Sequence, residues 1–392
     1  MFSRRTAWKL TPNDFTKAQK EMAAAGRAVL DLTISNPTRA GLRYDEEPIL
    51  NSLANPEAFE YDPQPKGLHS ARQAVATYYR DDHALDMDPE SLFLTTSTSE
   101  GYSYVFRLLC NPGDEVLVPK PSYPLFEFLA EMQDVKLVPY PLIYDHGWQL
   151  DFPSINKAVT DQTRAVVIVH PNNPTGSYVS EAERSELNEF CRDRNLWLIV
   201  DEVFLDYAHD GVPRPTFAAN HDALTLTLSG LSKISGLPQI KLAWIATSGP
   251  KDKNEDQVKT ALARLEVIAD TYLSVSAPIQ LATPVLLDQR KLIQPQLLNR
   301  VRANLKELDG QLASQKNCRR LDVEGGWYAV LRVPVTRSDE DLAIDILRKL
   351  LVLVHPGHFY DFPSDGYLVV SLITPTEDFG RGIGRILELL SS

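Results

Sequence analysis

The sequence predicts an α/β protein: a large domain built on a three-layer, mainly parallel sheet, joined to a smaller α+β domain. Three observations predict it. Short, continuously apolar runs (EVLVP, AVVIV, LWLIV, LTLTL, LAWIA) alternate with helical periodicity, the pattern of strands buried on both faces. The runs ending at Thr95, Val169, Val200 and Ser229 each pass into a polar turn, and ligands collect beyond the carboxyl ends of such strands. From about residue 284 the character changes to one long helical stretch followed by short strands and a closing helix. The large domain is therefore placed at residues 46–283, and the small domain at 1–45 plus 284–392.

In chain order, Pro12, Asn13 and Asp14 open a helix over Thr11 to Ala25, and Val29 to Ile34 is apolar enough for a strand that Asn36-Pro37-Thr38 ends. Leu68, Ala71, Ala74, Val75 and Tyr78 lie on one face of an amphipathic helix. SLFLTTST is a strand running into a hydroxyl-rich turn, and a helix over Glu100 to Leu109 stops at Asn111-Pro112-Gly113. Free N–H groups at a helix start favour an anion, so Thr95 to Ser99 is a candidate cradle. A strand passing into a turn over Glu115 to Pro124 and a strand over Lys136 to Ile143 follow, then a short helix near Phe152 to Val159. Next come the strand Ala165 to Val169, the helix Glu181 to Arg194, and an apolar strand ending in Asp201-Glu202. Strands over Leu224 to Ser229 and Leu242 to Thr247 complete the large domain. The small domain reads as a helix over Gln296 to Gln315 behind Pro295, the strand WYAVLRVP, a helix over Glu340 to Leu350, strands VLVHPG and YLVVSLI, and a last helix to Leu390.

Composition narrows the function. A chain of 392 residues with 43% hydrophobic and 23% charged residues buries a large core. Its net charge of −12 argues against nucleic acid or an anionic membrane surface as partner. Cys110, Cys191 and Cys318 are widely separated, which suggests neither a disulfide framework nor a metal site, and fits a reducing cytoplasm. The segment MFSRRTAWKLTPNDF lacks the apolar core of a secretory signal, and no apolar run approaches the roughly 18 residues of a membrane span.

The chemistry concentrates between Leu224 and Thr247. Lys233 lies in a small-residue turn between two apolar strands, where burial disfavours its ammonium form and frees the amine to attack a carbonyl. Asp201, at the end of LWLIV, is a carboxylate that needs a partner.

The ordered set SYP, HPNNPTG, DEVF, SGLSK with Lys241 eight residues on, GGWY and PGHFY resembles the class I/II aminotransferases, pyridoxal-phosphate enzymes of the aspartate-aminotransferase fold. The resemblance runs from about Val29 to Leu390. It implies that Lys233 forms the internal aldimine and shuttles the Cα proton, and that Asp201 pairs with the pyridine nitrogen. It further implies that Asn173 bonds the ring oxygen and Tyr123 stacks on the ring. Ser97, Thr98, Ser99, Ser232 and Lys241 then belong to the phosphate site, Lys241 standing where an arginine is usual and lacking its bidentate fork. Tyr61 resembles a tyrosine that reaches the neighbouring subunit's phosphate, which implies a homodimer with shared sites. The activity implied is ping-pong transfer of an amino group from an amino acid or amine to a 2-keto acid.

Three departures qualify that expectation. Phe204 stands where a tyrosine commonly donates to the ring oxygen, so the aldimine should hold its proton to higher pH. Gly230 replaces a serine or threonine that contacts phosphate. Val369 occupies the position of the arginine that clamps the substrate carboxylate, a strong orienting contact. Arg39, Arg43 and Lys66 are candidate substitutes, and Ser35 alters the same end of the pocket. A lyase or decarboxylase of the same fold is the competing expectation. A regulator with a basic DNA-binding module is disfavoured by length and charge.

Overall fold

A computed structural model describes residues 2–124, 126–251 and 255–391. In chain order its strands are β1 (Leu30–Asp31), β2 (Leu92–Thr95), β3 (Glu115–Lys120), β4 (Lys136–Tyr144), β5 (Trp148–Leu150), β6 (Thr163–Val169) and β7 (Trp197–Asp201). They continue with β8 (Thr225–Gly230), β9 (Ala243–Ser248), β10 (Arg319–Arg320), β11 (Tyr328–Arg332), β12 (Val352–Leu353), β13 (His355–Pro356) and β14 (Tyr367–Ser371).

The large sheet has the order β2-β9-β8-β7-β6-β3-β4-β5. β8, β7, β6, β3 and β4 pair in parallel, and only β9 and β5 run against them. Its central strands are apolar on both sides because both sides are covered. Ala165, Val167 and Val169 of β6 enter one core with Phe106, Leu228 and Ile245, while Val166 and Ile168 enter another with Leu187, Leu198 and Val200. This is the three-layer arrangement that continuous apolar runs call for. The helix Glu181–Arg194 is set by local chemistry: Ser180 and Glu183 form a reciprocal capping box, and Asn195 in the left-handed region ends it.

The second body carries the antiparallel sheet β10-β11-β14-β13, backed by the helices Arg290–Leu312 and Thr376–Ser391. Phe15, Ala18, Leu32 and Ala40 join its core, so the beginning of the chain packs with its end. Leu286 and Leu287 still pack with the large sheet, whereas Ile293 and Leu297 belong to the second core.

Several elements differ from the sequence reading. The strand over Val29 to Ile34 shrinks to β1, two residues paired in parallel with β12, because Ser371 N and Thr374 Oγ1 bond the carbonyls of Leu32 and Asp31 instead of a longer ladder. The helix placed behind Pro295 begins at Arg290 and carries Pro295 inside it, anchored by the Arg290 guanidinium on Asp82 (2.9 Å for Nη2). VLVHPG divides into β12 and β13, which pair with different partners. The helix after Ser338 ends in a wide π turn over Ile346–Leu350.

The two bodies meet along the carboxyl edge of the large sheet. Gly176 O accepts from Gly325 N (2.9 Å) and Glu324 N (3.2 Å), and Gly326 N donates to Tyr207 O (3.0 Å). On the opposite rim Ser122 N donates to Tyr360 O (2.9 Å) and Lys120 pairs with Asp361 at 3.1 Å. Gly176 has a φ of +70°, and a Cβ there would overlap Gly325 O and Val323. Gly176→Ala is therefore expected to lower unfolding free energy by about 2 kcal/mol or more, through both backbone strain and overlap. Urea unfolding of the purified variant measures it, and an unchanged midpoint would contradict this packing.

Candidate active site

The turns at the carboxyl ends of β2, β6, β7 and β8 lie along one edge of the large sheet, where the second body joins it. Lys233 sits in the short helix Leu231–Ile234 that follows β8, one register step from β7, since Asp201 pairs with Leu228. Tyr207 O–H donates to Lys233 O at 2.6 Å and fixes the turn. The ammonium nitrogen lies 4.9 Å from the Trp327 ring centre and 5.5 Å from that of Phe204. These two rings and Tyr207 pack edge to face at 5.1 Å and form an aromatic wall. Burial pushes the Lys233 ammonium down to about 8, opposed by the charge of Asp201.

Asp201 ends β7 and is 8% exposed. Val203 N donates to its Oδ1 and Tyr102 O–H to its Oδ2, each at 3.1 Å. Burial raises this carboxyl to about 6, and the two hydrogen bonds and Lys233 hold it from rising further. Tyr123, with 41% of its surface open, packs edge to face on Phe126 and feels the charge of Asp201. Phe204 is buried in the aromatic wall and carries no hydroxyl to offer a ligand.

Asn173 follows β6 on the same edge, and its Oδ1 is buried without a partner. Ser97 caps the helix Thr98–Leu109 through its hydroxyl, which accepts from Glu100 N at 3.2 Å. The N–H groups of Thr98 and Ser99 are in the first turn and have no intrahelical acceptor. Glu100 bends back over this turn and accepts from Thr96 N (2.7 Å) and Ser274 Oγ (2.8 Å). Ser232 is partly buried immediately before the lysine. Lys241 is exposed at φ +60°, adjoining Leu242, whose carbonyl accepts from Leu231 N (3.0 Å). Gly230 has a physical reason to lack a side chain: a Cβ would stand 2.8 Å from Ala243 Cβ and 2.9 Å from Leu242 O.

An orphaned amide oxygen, free helix-start N–H groups, an open tyrosine face, a buried carboxylate and a depressed lysine converge on one edge. Their chemistry fits pyridoxal phosphate. Tyr61 is 82% exposed on a single chain.

Val369 is fully buried in β14, in register with Val330 and His355. Burial pushes His355 down to about 4, so it is neutral near pH 7 and supplies no cation in place of arginine. Lys66 is spent on Glu90 (3.1 Å) over the Phe93 ring. Arg39 and Arg43 are exposed. Sequence reasoning missed Tyr102, Tyr207 and Tyr328, the last buried in the core of the second body. Tyr102 alone had a signal: it lies one helical turn beyond the hydroxyl-rich start, on the face turned toward the sheet.

Comparison with known proteins agrees with this geometry. The profile of the family described as aminotransferase class I and II matches residues 27–385. The chain is 28% identical over 383 residues to the glutamate-pyruvate aminotransferase AlaA of Haemophilus influenzae, covering 93% of this chain and 91% of that protein. It is 27% identical over 387 residues to the alanine aminotransferase of Mycobacterium tuberculosis, covering 95% and 87%. An aminotransferase structure from Escherichia coli superposes with a TM-score of 0.86 at 26% identity, covering 100% of this chain and 98% of that one. The alanine aminotransferase of Pyrococcus furiosus, at 22% identity and full coverage of both chains, gives 0.88 and shares the fold.

The chain belongs to the class I and II aminotransferases. It is a pyridoxal-phosphate-dependent aminotransferase, and these relatives favour amino-group transfer over the lyase or decarboxylase alternative. Among the described residues no helix is long and apolar enough to cross a membrane, and no group of metal-binding side chains is present.

The depressed lysine has a sign that can be measured. A lysine held at about 8 in the folded protein and 10.5 unfolded binds fewer protons when folded, so stability rises with pH between those values. For cofactor-free protein this gain should be on the order of 1–2 kcal/mol once solvent screening is allowed for. Urea unfolding at a series of pH values should find the gain in the wild type and not in Lys233→Met.

Proposed function

We propose that the cleft transfers amino groups between α-amino acids and 2-keto acids, with Lys233 as the reacting amine and Asp201 as its acidic counterpart. The observation that carries this reading is the placement of Lys233 and Asp201 on adjacent strand ends, where burial pushes the lysine down to about 8 and the carboxyl up to about 6. An amine in that range is a general base near neutral pH. Bound pyridoxal phosphate supplies the electron sink that makes a Cα proton labile. Lys233 Nζ would take the proton from the Cα of the amino donor and pass it to the cofactor carbon, and would carry it the opposite way when a keto acid is aminated. Asp201 holds the ring nitrogen, Tyr123 covers the ring and Asn173 meets its oxygen. The helix-start N–H groups of Ser97, Thr98 and Ser99, with Ser232 and Lys241, hold the phosphate. Residues 46–283 would form the cofactor-binding domain. The exposure of Tyr61 supports a homodimer in which it reaches the partner's site, and the three free cysteines support a cytoplasmic location.

Single-turnover spectroscopy with an amino donor tests the assignment. Lys233→Ala should lower the rate by at least about 10⁴-fold and Asp201→Asn by about 10²-fold or more. Full turnover by Lys233→Ala would end it.

The relatives named for glutamate, pyruvate and alanine support carboxylate-bearing substrates, and such substrates need a cation that Val369 does not provide. Arg39 is the better of the two exposed arginines. Its turn is pinned by Asn36 Oδ1, which accepts from Thr38 N (3.0 Å) and Oγ1 (2.8 Å). The same turn borders the lysine turn, since a Cβ on Gly236 would stand 3.6 Å from Pro37 Cβ. Arg39→Gln is expected to raise KM for alanine and for pyruvate by roughly tenfold or more, the scale of a charge-assisted contact. The half-reaction with a carboxylate-free amine should be unchanged. Equal loss with both donors would rule this role out.

A further inference from the structure

Resting on the reading that Asp201 partners the ring nitrogen, we infer that Tyr102 is a second determinant of the cofactor site, a positioning residue that orients the Asp201 carboxylate through its hydroxyl. Tyr102 is 2% exposed, and its O–H donates to Asp201 Oδ2 at 3.1 Å. Val203 N occupies Oδ1 from the other side at the same distance. With one donor on each oxygen, the carboxylate plane is fixed, and each oxygen keeps a lone pair for a ligand in the cleft.

The placement of Tyr102 is built into the fold. Its helix, Thr98–Leu109, lies close on the sheet because residue 101 is glycine; a Cβ there would stand 2.8 Å from Leu228 Cδ2. The ring is held edge to face against Phe126 at 5.1 Å and tilted against Phe106 at 5.9 Å. Its hydroxyl has the carboxylate as its partner. Four residues earlier the same helix presents its first N–H groups. One rigid element thus serves two ends of a bound cofactor: its start faces the phosphate and its second turn sets the acid.

Removing the hydroxyl frees one carboxylate oxygen of a donor. A buried carboxylate with fewer donors favours its protonated form, which weakens a charged pair with a protonated ring nitrogen. A purely structural tyrosine would instead affect every ligand of the cleft alike.

The test compares two cofactors on one variant. Wild type and Tyr102→Phe are stripped and titrated with pyridoxal phosphate and with its 1-deaza analogue, whose ring carries CH in place of nitrogen. Tyr102→Phe should raise the dissociation constant for pyridoxal phosphate about fivefold to tenfold, the scale of one hydrogen bond to a charged group. The constant for the analogue should change by less than about twofold. Equal weakening of both ligands, or no change in either, overturns the inference. Asp201→Asn serves as the control for the underlying reading. If it too leaves the preference for pyridoxal phosphate intact, the assignment of Asp201 fails before that of Tyr102 is reached.

Discussion

The placement of two ionisable groups at the ends of adjacent, fully buried strands is the constraint on which the site depends. Asp201 is buried and Lys233 partly buried at the ends of continuous apolar runs, where each charge is poorly solvated. Each is therefore displaced toward neutrality, and each is supported by neutral donors or rings in place of a competing ion. Tyr102 and Val203 satisfy the acid; Tyr207 fixes the backbone of the base. The aromatic wall of Phe204 and Trp327 keeps the ammonium in a poorly solvated place while its ring faces still attract it.

Much of this was readable in the sequence. Lys233 and Asp201 were legible because strand ends and breaking residues mark them locally, and Gly230 and Val369 because they stand where other side chains were expected. The three layers followed from apolar runs whose alternate residues enter different cores. What escaped was contact between distant segments. Tyr102 and Asp201 are 99 positions apart, and nothing local to Tyr102 says that its hydroxyl meets a carboxylate. Pro295 was read as a helix boundary, yet the helix begins at Arg290, since Asp82, 208 positions away, anchors that turn.

The departures from the family pattern also acquire physical sense. Gly230 is a matter of room, because β8 and β9 approach too closely there for any side chain. Phe204 packs edge to face on Trp327 and completes the aromatic wall. Val369 lies deep in the small sheet between Val330 and a neutral histidine, where an arginine's charge would have no solvent.

The glycine contact between the bodies has a mechanical consequence. Gly176 and Gly325 bring two backbones together with no side chain between them, and Tyr207 and Gly326 add a second stitch beside it. Separating the bodies at that seam would break three main-chain bonds, those of Glu324 N and Gly325 N to Gly176 O and of Gly326 N to Tyr207 O. On the far rim the join is one main-chain bond, Ser122 N to Tyr360 O, beside the solvent-exposed Lys120–Asp361 pair, which makes it the weaker of the two seams. Tyr123, largely open to solvent, lies beside this weaker seam, while Lys233 is tied to the stronger one through the Tyr207 hydroxyl on its carbonyl.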